Sequence, residues 1–577
     1  MRRTLLAIAF TAASGLAAAA TDVLIIGAGI AGLSTALDAA RSGASVTVAD
    51  ISTVAGGHAV LSNGAVCLIA TPLQERNRIA DSPALARQDF LARGGDADEV
   101  WVERYTRDSR KKVYDWLAEI GVVFEALVKP AGNSVPRLHL AKGKGWGLVG
   151  PMYRECLRHP SIKFLWSTRA DRLIVREGAV RGAMATDLRT GRRRELLARS
   201  TVVATGGFGS NLELVLKNWP AELPRPDRLL LGAAHSANGS GHELVTRAGG
   251  TLARMDHHWN YVLGLPDPRD RTRRRGLAAF NFRSIWVNAE GRRFTREFGD
   301  EKQSLAALLR QPGGSYWAVF DEKARRAFSI TLAGWESFDE VSRLVYDTPG
   351  VVVRAASIAE LAARTNMNAE TLRNTVDRYS QLAAEGVDRD FQAFGPRTTP
   401  KPEPFDTTKL YAAQFFPITR KSMGGVVVDG DCRVLSHAGK PIPGLFAVGE
   451  VTGFAGINGR AALEGTFLGP AIFMGRIAAT AIASNLRPRA VTPLELPAAA
   501  PAAAFENQQC VSCHPVTEDI MRNRPGYWHY EQSHAKTIAR GYACAKCHSD
   551  LHPYRANSHR LDRRAMLHHC IACHGVQ

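Results

Sequence analysis

Short apolar runs, helical spacing and proline-rich breaks divide this chain before any chemistry is considered. After Arg2 and Arg3, residues Thr4 to Leu16 are apolar and the small residues Ala17 to Ala20 follow. A positive start, a short apolar stretch and a small-residue end predict a cleaved export signal over 1–20. The stretch is too short to span a bilayer as a helix. Next, Asp22 to Ile26 reads as a buried strand. Leu33, Ala36, Leu37 and Ala40 then recur at helical spacing up to Gly43, and Ser45 to Ala49 returns to a strand pattern closing on Asp50. Further on, Ser357-Ile-Ala-Glu360 has the form of a capping box, and Asn368 precedes a helical run reaching Tyr379 and Leu382. Pro396, Pro400, Pro402 and Pro404 mark a loop. Residues Arg487 to Ala504, with Pro488, Pro493, Pro497 and Pro501, read as a linker.

At 577 residues the chain exceeds one ordinary core, which predicts two to four domains. Its composition, 45% hydrophobic and 22% charged, is that of a folded protein. The formal charge is +18, or +16 once Arg2 and Arg3 leave with the signal. The basic residues are spread along the chain, so the charge points to anionic substrates or acidic redox partners rather than nucleic acid. No later apolar run is long enough to cross a membrane, and stable membrane insertion is not expected.

Six of the nine cysteines fall in the last 68 residues, as Cys510-Val-Ser-Cys513-His514, Cys544-Ala-Lys-Cys547-His548 and Cys570-Ile-Ala-Cys573-His574. C-x-x-C-H is the attachment motif of c-type haem: two thiols form thioethers and the adjacent histidine ligates iron. Three copies behind an export signal predict three covalent haems. The sixth ligands would come from His529, His534, His552, His559, His568 and His569, with His534, His559 and His568 or His569 preferred. Histidine on both faces would close the irons and favour electron transfer.

The first turn reads Gly27-Ala-Gly29-Ile-Ala-Gly32, between a strand and a helix, with Asp50 18 residues past Gly32. In that context G-x-G-x-x-G predicts a dinucleotide site, with a pyrophosphate at the helix N-terminus and ribose hydroxyls on the acid.

Three further stretches carry a resemblance. Gly56-Gly57-His58-Ala-Val-Leu-Ser62-Asn63-Gly64, Thr201-Val-Val-Ala-Thr205-Gly206-Gly207, and Met423-Gly424-Gly425 with Gly449-Glu450 are similar to the flavin-binding segments of the fumarate reductase and succinate dehydrogenase flavoproteins. The resemblance covers roughly 21–485 and implies FAD, with Ala170 as a further contact. It implies an α/β fold: a Rossmann-like FAD-binding domain in two parts, 21–252 and 411–486, with an inserted α+β capping domain at 253–410. After the linker 487–504 a small, mostly α or irregular multihaem cytochrome c domain would occupy 505–577. The whole resembles soluble periplasmic flavocytochromes c, although their haem domain usually comes first and carries four haems. His58 stands where membrane-bound succinate dehydrogenases attach FAD through histidine; a non-covalent contact is the other reading.

The resemblance weakens at the substrate pocket. The family holds a dicarboxylate with two histidines and two arginines, and an arginine delivers the proton. Here Arg420 and Lys421 stand before Met423 where paired histidines are expected, and the proton-donor position falls at or near Glu301. Arg293-Phe294-Thr295-Arg296 precedes it, and Arg460 lies in a segment about two residues longer than the family's. Arg460 and Lys421 are therefore candidate substrate anchors, Glu301 a candidate proton-transfer group and Arg296 a further catalytic candidate. The expected activity is hydride exchange between FAD and an activated C=C or CH–CH bond of a small anionic substrate other than fumarate. Electrons would pass through the haems to or from a periplasmic or membrane-bound cytochrome. A dehydrogenase with the haems as electron exit, and an electron carrier without a substrate site, are the alternatives. A sulfide dehydrogenase is disfavoured, because Cys67, Cys156 and Cys432 lie far apart in sequence. The haem reading is tested by mass: the mature protein should exceed its polypeptide by three haems, with c-type bands surviving acid-acetone extraction. One haem or none would overturn it.

Overall fold

The computed structural model describes residues 21–331, 338–396, 398 and 401–486. The signal-like segment, the linker and the six haem-motif cysteines with His514, His534, His548, His559, His568 and His574 lie outside these residues. Five parallel strands form the first sheet, in the spatial order Pro441–Ala447, Arg193–Val203, Thr21–Ile26, Val46–Ala49 and Ile162–Leu165. Thr21–Ile26 sits at the centre because every residue after Thr21 is apolar or buried on both faces, which is the pattern of an interior parallel strand. The antiparallel strands Thr168–Arg176 and Ala179–Asp187 extend Arg193–Val203 outward.

Two helices cover one face. Ile30–Arg41 leaves the glycine turn, and Leu468–Ala483 lies against it. The approach depends on Gly475: a β-carbon there would meet Ser34 Oγ at 2.2 Å and Ala31 O at 2.6 Å. The buried positions of both helices are mostly Ala, Ile, Leu and Gly, so the two axes come close without side chains that must be accommodated.

The second sheet is built on one long strand, Leu410–Ser422. Its first half pairs antiparallel with Tyr316–Asp321 and Val352–Ala355; its second half pairs with His258–Pro266. Gly276–Phe280 and Ser329–Thr331 continue the sheet. The helices Ile358–Thr365 and Ala369–Glu385 close one side over Leu361, Leu372, Val376 and Leu382. Asn368 caps the second helix by accepting the Thr371 N–H at 2.8 Å. Ser357 accepts the Glu360 N–H at 3.2 Å, but the Glu360 carboxylate takes the N–H of Ala356, one residue before the cap. The reciprocal bond of the capping box is thus displaced by one residue. A buried ion cluster, Arg293 with Glu297 at 2.7 Å and Asp388 at 2.8 Å, ties the loop after residue 386 to the sheet. Cys67, Cys156 and Cys432 are buried free thiols. Among the described residues no helix is long and apolar enough to cross a membrane. Gly475→Val should lower stability by about 1–3 kcal/mol through overpacking, read as a reduced denaturation midpoint; an unchanged midpoint would show that the helix pair has slack.

Candidate active site

The glycine turn is shaped by close approach. Gly27 has φ of 113°, and a β-carbon there would lie 2.3 Å from Ala204 O; one on Gly32 would lie 2.0 Å from Gly27 O. These two glycines are required by packing. Gly29 differs: a β-carbon there would touch nothing within 4 Å, because it faces a cleft at the carboxyl ends of the parallel strands. Asp50 closes the turn by accepting the N–H groups of Ala28 and Ser52, each at 2.6 Å.

The cleft encloses roughly 1040 Å³ including its open mouth, and is lined by Gly27, Gly29, Asp50, Gly57, His58, Ala170, Thr205, Gly206, Lys421 and Glu450. Gly32, Ser62, Gly64, Gly207 and Gly449 do not line it. They support it from behind. Gly64 (φ 67°) lies against the Lys144 backbone, Ser62 Oγ donates to Ala59 O at 2.7 Å, and Gly207 leaves room for Ser422 Oγ and Glu450. Gly449 (φ 77°) makes room for Ala31. One wall was not foreseen: the loop Ala234, Ser236, Ala237 and Asn238, before the helix Ser240–Arg247. Its small polar composition is the only sequence signal that could have marked it.

The cleft suits a dinucleotide. Gly29, at the N-terminus of Ile30–Arg41, leaves space where a pyrophosphate needs backbone contact. Thr205 Oγ1 and His58 Nε2 are buried at the wall without hydrogen-bond partners, as expected of groups that face a polar ligand.

At one end the cleft meets the tip of Leu410–Ser422. Lys421 Nζ donates to His58 Nδ1 at 3.0 Å and lies 3.3 Å from Glu450 Oε2. Glu450 also accepts the Ser422 N–H at 3.1 Å. Burial, reinforced by Lys421, Arg420 and Arg275, holds the His58 proton affinity well below the usual imidazole range. A neutral His58 accepting from Lys421 at Nδ1 carries its proton on Nε2. Burial also lowers the proton affinity of Lys421, with Glu450 opposing.

Beyond Lys421 a second group gathers under the cap sheet. The Arg420 guanidinium stands 5.4 Å over the Tyr261 ring; its Nη1 donates to Gly232 O, and its Nε is buried without a partner. Tyr261 Oη donates to both oxygens of Glu464, at 3.2 and 3.3 Å. Glu301 accepts the N–H of Val262, the next residue, at 2.9 Å. Burial pushes the Glu301 carboxyl up to about 8, with Glu464 and Asp300 adding to it. Glu464 is raised by burial as well, against the pull of Tyr261 and Arg420. Arg93 pairs with Asp300 and stands 5.7 Å over the Trp259 ring. Glu301 and Lys421, both expected from sequence, are thus joined by Arg420, Tyr261 and Glu464, of which sequence reading had singled out none as a site residue.

Arg460 and Arg296 lie elsewhere. Arg460 is exposed and faces Asp96 at 3.5 Å, Glu222 at 3.3 Å and Asp256 at 3.4 Å. Three acids already neutralise it, and it does not line the cleft. Arg296 is exposed beside Gly299. Arg460, the candidate substrate anchor, and Arg296, the further catalytic candidate, thus stand outside the cofactor cleft. The Arg460 N–H donates to Gly94 O at 2.9 Å.

The FAD binding domain family profile matches residues 22–468. The chain belongs to this family. A KsdD-like steroid dehydrogenase of Mycobacterium tuberculosis is 32% identical over 565 residues, spanning 83% of this chain and 98% of that one. A cytochrome fumarate reductase of Shewanella frigidimarina is 29% identical over 465 residues, 79% of this chain and 76% of that one. In structure, the open conformation of a flavocytochrome c3 fumarate reductase superposes with a TM-score of 0.67 at 26% identity, covering 81% of this chain and 78% of that one. This member of the FAD binding domain family is an FAD-dependent oxidoreductase acting on CH–CH groups.

The raised Glu301 carboxyl has a consequence for stability. Its folded proton affinity lies above its ordinary value of 4.5, so the folded state holds the extra proton. The associated stability is full below pH about 4.5 and is lost as pH rises through about 8. Glu301→Gln should flatten the fall in denaturation midpoint across that window; an unaltered pH profile would place the titration elsewhere.

Proposed function

We propose that this protein is an exported, haem-coupled flavin oxidoreductase that exchanges a hydride between FAD and the C=C or CH–CH bond of a small anionic substrate other than fumarate. The observation that carries this reading is Arg420: a guanidinium with a buried, unpartnered Nε, adjacent in sequence to the lysine that contacts His58 in the FAD cleft. A substrate carboxylate is the natural acceptor for it. FAD, when bound, supplies hydride exchange and joins two-electron chemistry to single-electron carriers.

The chain's own groups would divide the work. Arg420 holds the carboxylate in place of the exposed Arg460. Lys421, held between Glu450 and His58, keeps positive charge against the cleft. Glu301, with a proton affinity near neutrality, gives or takes the proton at the carbon that does not exchange hydride. Arg420 offers one buried donor without a partner, which suits one carboxylate rather than two. Gly27, Gly29, Asp50, Gly57, His58, Ala170, Thr205, Gly206 and Glu450 would hold FAD. Three haems on Cys510/Cys513, Cys544/Cys547 and Cys570/Cys573 would exchange electrons with a periplasmic or membrane-bound cytochrome.

The oxidative direction is the second reading. A carboxyl such as Glu301, poised near neutrality, can act as base as readily as acid, and the steroid dehydrogenase among the relatives bears that name. The test is turnover of the purified protein, in both directions, with fumarate against acrylate, methacrylate, cinnamate, urocanate and their saturated partners. Arg420→Ala should reduce kcat/KM on the best substrate about 100-fold, as for loss of one donor to developing charge. Arg460→Ala should change it less than about twofold, as for an exposed ion pair. Fumarate outpacing the panel, or the reverse order of the two variants, would overturn the assignment.

A further inference from the structure

Tyr261 and Glu464 answer a question that the reading above leaves open: what meets the end of the substrate away from Arg420. Both carboxylate oxygens of Glu464 accept from Tyr261 Oη, at 3.2 and 3.3 Å, and Trp259 lies on the same carboxylate as a second donor. A carboxylate has about four acceptor positions, so Glu464 keeps acceptor capacity beyond these two donors, and its side chain is half-buried. Arg420 stands over the face of the same tyrosine ring. One aromatic side chain thus separates a free cationic donor from an anionic acceptor.

We infer that Glu464, held by Tyr261, determines specificity: it receives a hydrogen-bond donor on the substrate end remote from the carboxylate at Arg420, and it excludes a second carboxylate. This rests on the proposed anchoring role of Arg420. The substrate class is then a monocarboxylate bearing a hydroxyl, N–H or cationic group at its far end. The exclusion is electrostatic, since two like charges in one recess of low polarity repel strongly. Arg420, Arg93, Glu301 and Tyr261 also face Glu464, so the charge on this carboxylate is set by all four. Protonation of Glu464, which burial favours, would relieve the repulsion.

Calorimetric binding to the oxidised FAD-loaded protein tests this without turnover. The probes are cinnamate, 4-hydroxycinnamate and fumarate. At pH about 8, 4-hydroxycinnamate should bind about tenfold more tightly than cinnamate, the scale of one hydrogen bond to a charged group, and fumarate should bind weakest. Glu464→Gln should erase the hydroxyl preference and strengthen fumarate about tenfold, whereas Glu464→Asp should keep fumarate weak. In the unaltered protein, fumarate should gain on cinnamate as pH falls, because burial raises the proton affinity of Glu464, and Glu301→Gln, which removes the neighbouring raised carboxyl, should leave that gain in place; this comparison stands even if Glu464→Gln fails to fold. An unchanged ranking in Glu464→Gln, or no gain at low pH, overturns the inference. If Arg420→Ala leaves cinnamate binding unaltered, the anchoring reading fails instead.

Discussion

The site depends on the backbone hydrogen bonding of one strand. Leu410–Ser422 is paired on both sides within the cap sheet, and its last residues reach the FAD cleft. The pairing with His258–Pro266 shifts register at Arg420, between the pairs Trp259–Lys421 and Asn260–Thr419. Arg420 stands over Tyr261, and Lys421 contacts His58 and Glu450. Two neighbouring cations thereby meet different partners, one at the Tyr261 ring and the other in the cofactor cleft.

Electrostatic balance around these residues follows from their pairings. Lys421 is matched by Glu450, and Arg93 by Asp300. Glu301 and Glu464 have no guanidinium pair of their own, and burial drives both toward the protonated form. Protonation of either carboxyl changes the charge around Tyr261 and Arg420 by a whole unit.

Local chemistry was legible where it is also local in space. The strand, glycine turn, helix and second strand of residues 21–50 appear at the expected places, because apolar runs and glycine spacing act within one supersecondary unit. Asn368 as a helix cap and the run through Leu382 were readable for the same reason, with the helix ending at Gly386. Motifs carried over from the family were less exact. Gly32, Gly64, Gly207 and Gly449 proved to be packing glycines, indistinguishable in sequence from Gly27 and Gly29, which line the cleft. The recess was legible only at Glu301, Arg420 and Lys421. Tyr261, Glu464 and Arg420 are separated by about 40 to 200 residues and meet only through the cap sheet. Arg460 misled because its charge and position in the segment are visible, whereas its three acidic neighbours are brought by other parts of the chain.

The buried cysteines have a meaning for thiol reactivity. Cys67, Cys156 and Cys432 are enclosed in the core, and burial raises the proton affinity of each thiol, that of Cys67 to about 12. A thiol that does not ionise is a poor nucleophile and a poor partner for exchange. Once the flavin-binding body has folded, its own sulfur atoms are withdrawn from oxidation and cross-linking. A thiol reagent added to the folded body would then find none of these three cysteines ready to react.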